Sequence, residues 1–253
     1  MNPYLADVER WLERLYVAAD GATLRAEDRR KAVQVAALLL EIERALARVA
    51  RSEPVLLVDA AAGKAYVGLL AARLLLQPSG RRAAVVTIER EACRVAASRA
   101  AAARLGVPVA IDCREAEVGS LAAWPDRPTI VVALHACGPA ADQVIDAAVA
   151  TGARHLLLVP CCTGRAVEPA RRAASAAEAR GIPPHAAVRG RFVQALVDAD
   201  RTWRLESAGY ETEVVELVPP TLTPHNLLWR ARLVGEPNRM ARALRQLSRL
   251  RSA

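Results

Sequence analysis

Aromatic residues make up only 4% of this 253-residue chain, phenylalanine occurs once, and lysine occurs only as Lys31 and Lys64. With heavy alanine and arginine usage, that bias reads as the imprint of a GC-rich genome rather than a functional adaptation. Long hydrophobic runs are also missing. Arg or Gly interrupts each one well short of the roughly 18–20 apolar residues a membrane span needs, so no membrane role is expected. The opening MNPYLADVERWLERL has neither a basic leading region nor a continuous apolar one, so no signal peptide is expected. Five cysteines, two of them adjacent, lack the spacing of a secreted disulfide scaffold and predict reduced thiols in a cytoplasm. There is no low-complexity linker and no internal repeat. The dinucleotide fingerprint G-x-G-x-x-G and the P-loop pattern are both absent, which removes the simplest nucleotide-binding readings.

What remains is a soluble globular composition, 53% hydrophobic and 25% charged, long enough for one large α/β domain with a helical extension. The formal charge of +8 favours an acidic partner such as RNA. Residues 1–52 read as an N-terminal helical extension. Leu5, Val8, Leu12 and Leu15 recur at helical spacing, and a second helix is predicted from about Glu27 to Ala50. Residues 53–253 then alternate. Strands are predicted at 55–59, 83–89, 107–112, 130–134 and 156–159, with helices between most of them. A helix-prone segment at 168–180, a short helix near 200–208 and a hairpin of strands 210–218 and 227–234 follow. Strand–helix alternation implies right-handed crossovers and a parallel sheet covered on both faces. Met240, Leu244, Leu247 and Leu250 share one side of a closing helix, ringed by Arg239, Arg242, Arg245, Arg249 and Arg251. That helix either docks by its Leu side or contacts phosphates.

The most specific segment is 130–162, IVVALHACGPAADQVIDAAVATGARHLLLVPCC. Two buried parallel strands end in His135 and Cys137, and in Pro160, Cys161 and Cys162. In open α/β sheets the ligand crevice lies outside the carboxyl ends of the strands. The same edge receives Asp59, ending the first strand, then a small-residue turn with Gly63 and Lys64 that opens a helix and aims N–H groups outward. Glu89 ends the second strand, where a carboxylate can accept both hydroxyls of a ribose. Asp112 and Cys113 end the predicted third strand, where an acid and a backbone N–H could hold an adenine edge.

The order of elements with Asp59, Gly63 and Glu89 resembles a class I S-adenosylmethionine-dependent methyltransferase. D-x-x-x-G-K-x-Y, A-L-H-A-C-G-x-x-x-D and V-P-C-C more narrowly resemble the methyltransferase-like group that shares ALHACG and PCC motifs. That group is similar to a tRNA 2′-O-methyltransferase family and includes relatives of the glutathione S-transferase C-terminal-domain protein. Arg30-Lys31 and Gln34-Val35 resemble its K-K-x-x-E/Q-V element, so the likeness spans about residues 28–235. It implies a Rossmann-like seven-stranded sheet, mostly parallel with a terminal antiparallel hairpin. It also implies S-adenosylmethionine held by Asp59, Gly63, Lys64, Glu89, Asp112 and Cys113, and an RNA acceptor, tRNA or rRNA. One departure stands out: Ala61 and Ala65 replace glycines of the group's D-x-G-x-G-K-G-Y, and alanine resists positive φ. A catalytically weak or inactive module binding RNA or a protein partner is the competing reading.

For the chemistry, a ribose hydroxyl needs a base, and His135 with Asp142 is the expected catalytic pair. Cys137, Pro160, Cys161 and Cys162 would wall the acceptor site, joined by His225 and Asn226 from the loop between the last two strands. A thiolate nucleophile at Cys161-Cys162 is an alternative, as is a zinc site from His135, Cys137, Cys161 and Cys162. The H-x-C…C-C spacing is unlike usual zinc patterns, so no metal is expected.

Overall fold

The computed structural model describes residues 2–17, 23–160 and 167–252. Helix α1 (Leu5–Leu12) runs into a π-helical stretch, Glu13–Val17, and α2 (Ala26–Leu46) follows. Then come β1 (Val55–Ala60), α3 (Tyr66–Ala71), a second π segment (Ala72–Leu76), the single turn α4 (Gln77–Ser79), β2 (Ala83–Glu89), α5 (Ala92–Leu105) and β3 (Ala110–Glu115). The rest is β4 (Ile130–Ala136), α6 (Ala140–Ala150), β5 (His155–Pro160), α7 (Glu168–Ala179), α8 (Ala187–Ser207), β6 (Tyr210–Glu216), β7 (Leu227–Leu233) and α9 (Pro237–Ser252).

The strands form one seven-stranded sheet in the order β3-β2-β1-β4-β5-β7-β6. The first five are parallel, while β7 runs antiparallel to both β5 and β6, as the hairpin pattern predicts. The order reverses between β1 and β4, which makes their carboxyl ends the switch point where ligands bind in such sheets. Apolar runs with two buried faces cause this. Leu57, Val85, Val132 and Leu157 point into a core shared with α1, α2, α3 and α5, and Val58, Val86, Val131 and Leu156 into one shared with α6 and α8. The N-terminal helices belong to the first core: Val8, Leu12, Leu15, Val35, Leu39 and Ile42 are buried beside Leu69 and Leu70 of α3.

Two predicted elements differ. The third strand begins at Ala110 rather than 107, because Pro108 lacks the N–H a ladder requires. The helix expected near 200–208 spans 21 residues, Ala187–Ser207. Its first half buries little apolar surface beyond Val197, so the hydrophobic pattern that betrays a helix is weak there.

Candidate active site

Two cavities meet at the carboxyl ends of β1, β2 and β4. The larger, about 650 Å³, is lined by residues including Tyr16, Lys31, Asp59, Tyr66 and His135. The smaller, about 370 Å³, includes Glu89, Glu91, Glu117, Val118, Cys137 and Gln143. Ala61, Arg94 and His135 line both, so they form one cleft with two lobes.

The turn after β1 shapes the junction. Ala61, Gly63 and Ala65 hold φ of +52°, +57° and +57°, so the two alanines adopt the left-handed backbone that glycine would take freely. The turn therefore survives the replacements, at roughly 1–2 kcal/mol of steric cost per alanine. The Gly63 N–H donates to Glu89 Oε2 at 2.8 Å and the Glu91 N–H to Glu89 Oε1 at 3.0 Å. Both carboxylate oxygens are thus oriented, and each keeps lone-pair capacity for a further donor such as a ribose hydroxyl. Asp59 is buried and accepts the Gly68 N–H at 2.8 Å. Burial raises its carboxyl from 3.8 to about 7, the Gly68 hydrogen bond pulling down and the Glu89 charge adding to the rise. A cationic ligand group in the large lobe would pair with it and restore its charge. A small-residue turn, an oriented carboxylate at the end of β2 and a buried acid at the end of β1 fit the nucleoside and amino-acid ends of S-adenosylmethionine. Lys64 takes part through its backbone, its carbonyl accepting the Tyr16 hydroxyl at 2.6 Å.

His135 stands where the β4 ladder breaks between Leu134 and Ala136, with φ of +64°. Its Nε2 pairs with Oε1 of Gln34, which is buried on α2. Burial, then the nearby Lys31 ammonium, lowers its pKa, so the imidazole is neutral at pH 7 and able to accept a proton.

Several expected residues are elsewhere. Asp142 does not meet His135; it pairs with Arg201 at 3.1 Å and Arg204 at 2.7 Å on α8, binding α6 to α8. Asp112 and Cys113 fall inside β3 once the strand is shifted. They line a separate depression with Arg99 and Val109, Asp112 pairing with Arg114 at 2.7 Å. Glu117 and Val118, beyond the true strand end, reach the small lobe instead. Asn226 is buried and donates to the Val218 carbonyl at 2.7 Å, pinning its own loop. His225 is exposed, and neither residue lines the cleft. Pro160 closes β5 in a buried position, and Cys161 and Cys162 lie outside the described residues. Cys93 and Cys113 are free thiols, whereas Cys137 is disulfide-bonded, against the expectation of reduced thiols throughout. Among the described residues no group of three His, Cys, Asp or Glu could hold a metal.

Tyr16, Arg94, Glu117 and Gln143 are among the cleft residues that sequence reading did not assign to the site, and Gln34 reaches it through His135. Gln34 had a signal, in the element upstream of β1. Tyr16, Arg94 and Gln143 had none, because helix packing brings them in, and Glu117 was missed because the third strand ends later than predicted.

The strand order and the acid-ended β1 and β2 define a Rossmann-like methyltransferase fold. Residues 30–167, more than half of the chain, match the family described as "Methyltransferase domain", and the chain belongs to that family. Over 129 residues it is 31% identical to the glutathione S-transferase C-terminal domain-containing protein of Homo sapiens, and to that of Macaca fascicularis. The alignment takes in 43% of this chain and 20% of the relative, so the match spans about a fifth of those proteins. Among solved structures, magnesium protoporphyrin IX methyltransferase from Synechocystis PCC 6803 with bound SAH aligns with a TM-score of 0.51 at 12% identity. That superposition covers 90% of this chain and 95% of the other. The CMeT domain of a citrinin polyketide synthase also gives 0.51, at 14% identity over 93% of this chain and 66% of that one. These likenesses show the fold. Among the described residues no helix is long and apolar enough to cross a membrane.

Proposed function

We propose that the chain is an S-adenosylmethionine-dependent methyltransferase acting on RNA. The observation that carries the cofactor assignment is Glu89. Its carboxylate is held by two backbone N–H groups at the rim of the small lobe, across the turn from the buried Asp59. The nucleoside would occupy the small lobe and the amino-acid end the large one, near Asp59. The cofactor supplies the electrophilic methyl group. Displacement from a sulfonium is in-line, so the protein's task is positioning, plus proton removal where the nucleophile is a hydroxyl. Neutral His135, fixed by Gln34, is the group that would accept that proton. An RNA acceptor is supported by the net charge of +8 and by Lys31, Arg25 and Arg94 around the cleft. Cytoplasmic location is part of the same proposal.

Calorimetric titration with S-adenosylmethionine tests it. Binding by the wild-type protein and its loss in Glu89→Ala are expected. Absence of heat with wild type sinks the enzyme reading and favours the inactive-module alternative. Binding unchanged in Glu89→Ala overturns the site assignment alone. Transfer of labelled methyl to RNA, absent in His135→Ala, tests the acceptor.

A further inference from the structure

A third cavity, about 430 Å³, lies over the first half of β5, between the C-terminal half of α2 and strands β7 and β6. Arg44, Arg48, Arg230, Arg232 and Arg239 line it, opposed by Glu41, Glu211 and Glu213. Three close carboxylate–arginine pairs are already made. Buried Glu41 takes Arg230 in a fork at 2.7 and 2.9 Å and Arg44 at 2.6 Å, and Glu211 takes Arg232 at 2.6 Å. Arg230 also meets Glu213 at 3.0 Å, and Arg239 meets Glu211 at 3.6 Å and Glu236 at 3.7 Å, so five arginines face four carboxylates. Among the described residues Arg48 has no salt-bridge partner, and Nε of Arg232, Nε of Arg239 and Oγ1 of Thr212 are buried without a hydrogen-bond partner. Buried donors without acceptors are unfavourable by about 1–3 kcal/mol each, and an anion in the cavity would satisfy them. His155 on the cavity wall does not add charge. Burial, then Arg154, Arg48 and Arg232, push its pKa down to about 4.

The cationic surface continues along α9. Arg239 belongs both to the cavity and to that helix, and one turn on, Arg242, Arg245 and Arg249 recur at i, i+3 and i+7 on one exposed flank. None of these three makes a salt bridge with a described residue, while Ala243 and Leu247 bury the opposite side. The expected Leu side of α9 docks only in part: Leu247 is buried with Ala243, while Leu244 is 58% exposed. Along α2, Lys31 in the methyl-transfer cleft and Arg44 in this cavity are thirteen residues apart, about 20 Å at helical rise. A small anion cannot span that distance; a polymer can.

We propose that the arginine cavity between α2 and β5–β7–β6, extended by the flank of α9, is a second docking site for the phosphate backbone of the RNA whose target nucleotide enters the cleft. This rests on the RNA reading above. Guanidinium groups make forked, charge-assisted bonds to phosphate, and backbone contacts position a nucleic acid without reading its sequence.

The test measures binding of a fluorescein-labelled short RNA hairpin by anisotropy over a series of salt concentrations. The variant is the full chain with Arg48→Gln, Arg242→Gln and Arg249→Gln, three exposed side chains that make no salt bridge with a described residue. Each lost phosphate contact lowers the slope of log affinity against log salt by roughly 0.7–0.9, so a fall of about 2 and at least tenfold weaker binding are expected. S-adenosylmethionine binding should be unchanged, and the Arg→Lys versions should restore the slope. Wild type that binds S-adenosylmethionine but not the hairpin overturns both this site and the RNA acceptor. Hairpin binding with the same slope in wild type and variant overturns the site while leaving the RNA reading intact. An unchanged slope together with wild-type stabilisation by inorganic pyrophosphate, lost in the variant, identifies a small-anion pocket and overturns RNA docking.

Discussion

Asp59→Asn should stabilise the cofactor-free protein at neutral and alkaline pH and at the same time abolish cofactor binding. The carboxyl is fully enclosed, accepts one hydrogen bond from Gly68, and titrates near 7 in place of 3.8. A folded-state pKa above the unfolded one contributes stability that is complete below the unfolded value, here 3.8, and is lost as pH rises through the folded value, here about 7. Over that window the wild type forfeits about 4 kcal/mol, at about 1.4 kcal/mol per pH unit. Asparagine keeps an oxygen for the Gly68 N–H and carries no charge. Its new amide donor, if unpaired, costs about 1–3 kcal/mol, leaving a net gain of about 2 kcal/mol above pH 7. For a chain of this size that is a rise of about 4–8 °C in melting temperature. Melting curves of both proteins at several pH values between about 4 and 8 provide the assay. Titration of other groups cancels in the difference between the two proteins. The gap should open steadily as pH rises. A difference that stays constant across the range would refute the placement of a titrating acid at residue 59.

Other outcomes follow from the same geometry. Gly68→Ala would put a Cβ 3.1 Å from Asp59 Cβ, Asp59 Oδ2 and Val85 Cγ1. A loss of about 1–3 kcal/mol in urea unfolding is expected, and a neutral result would show that β1 and α3 can part freely. Ala61→Gly removes a left-handed alanine at +52° but adds unfolded-state freedom, so a gain of some tenths to about 1 kcal/mol is expected. Destabilisation there would mean the methyl group packs usefully in the cleft. Asp142→Asn leaves the fully buried Arg201 with Asp198 at 3.7 Å as its remaining carboxylate, and should cost about 3 kcal/mol while sparing S-adenosylmethionine affinity. Intact stability with methyl transfer abolished would instead make Asp142 catalytic.

Much of this molecule can be read from periodicity. Four of the five parallel strands are runs of apolar residues that end at polar residues or a proline, the edge strand β3 being largely polar, and each terminal strand is bounded by turn residues. The acids at 59 and 89 and the histidine at 135 are legible because a strand's end fixes which edge its last residue occupies. Asp112 misled for the same reason: Pro108 displaced the strand by three residues, and with it the position that meets the cleft. Asp142 misled differently. Its distance in sequence from His135 is short, but the first turn of α6 faces α8, where two arginines claim it.

The amino-acid sequence by itself determined the succession of strands and helices, the carboxylates at Asp59 and Glu89, and the edge at which His135 emerges, since all of these follow from local hydrophobic pattern and right-handed crossovers; the order of strands across the sheet came from the structure. Tertiary structure alone decided the rest. It brought Gln34 to His135 across 101 positions and Arg230 to Glu41 across 189, and it gathered five arginines from three separate segments around one cavity. It also decided that Ala61 and Ala65 could keep a glycine's backbone, because the packing of β1, β2 and α3 outweighs about 1–2 kcal/mol of strain at each. Contacts of that range depend on how whole layers pack, and no spacing along the chain records them.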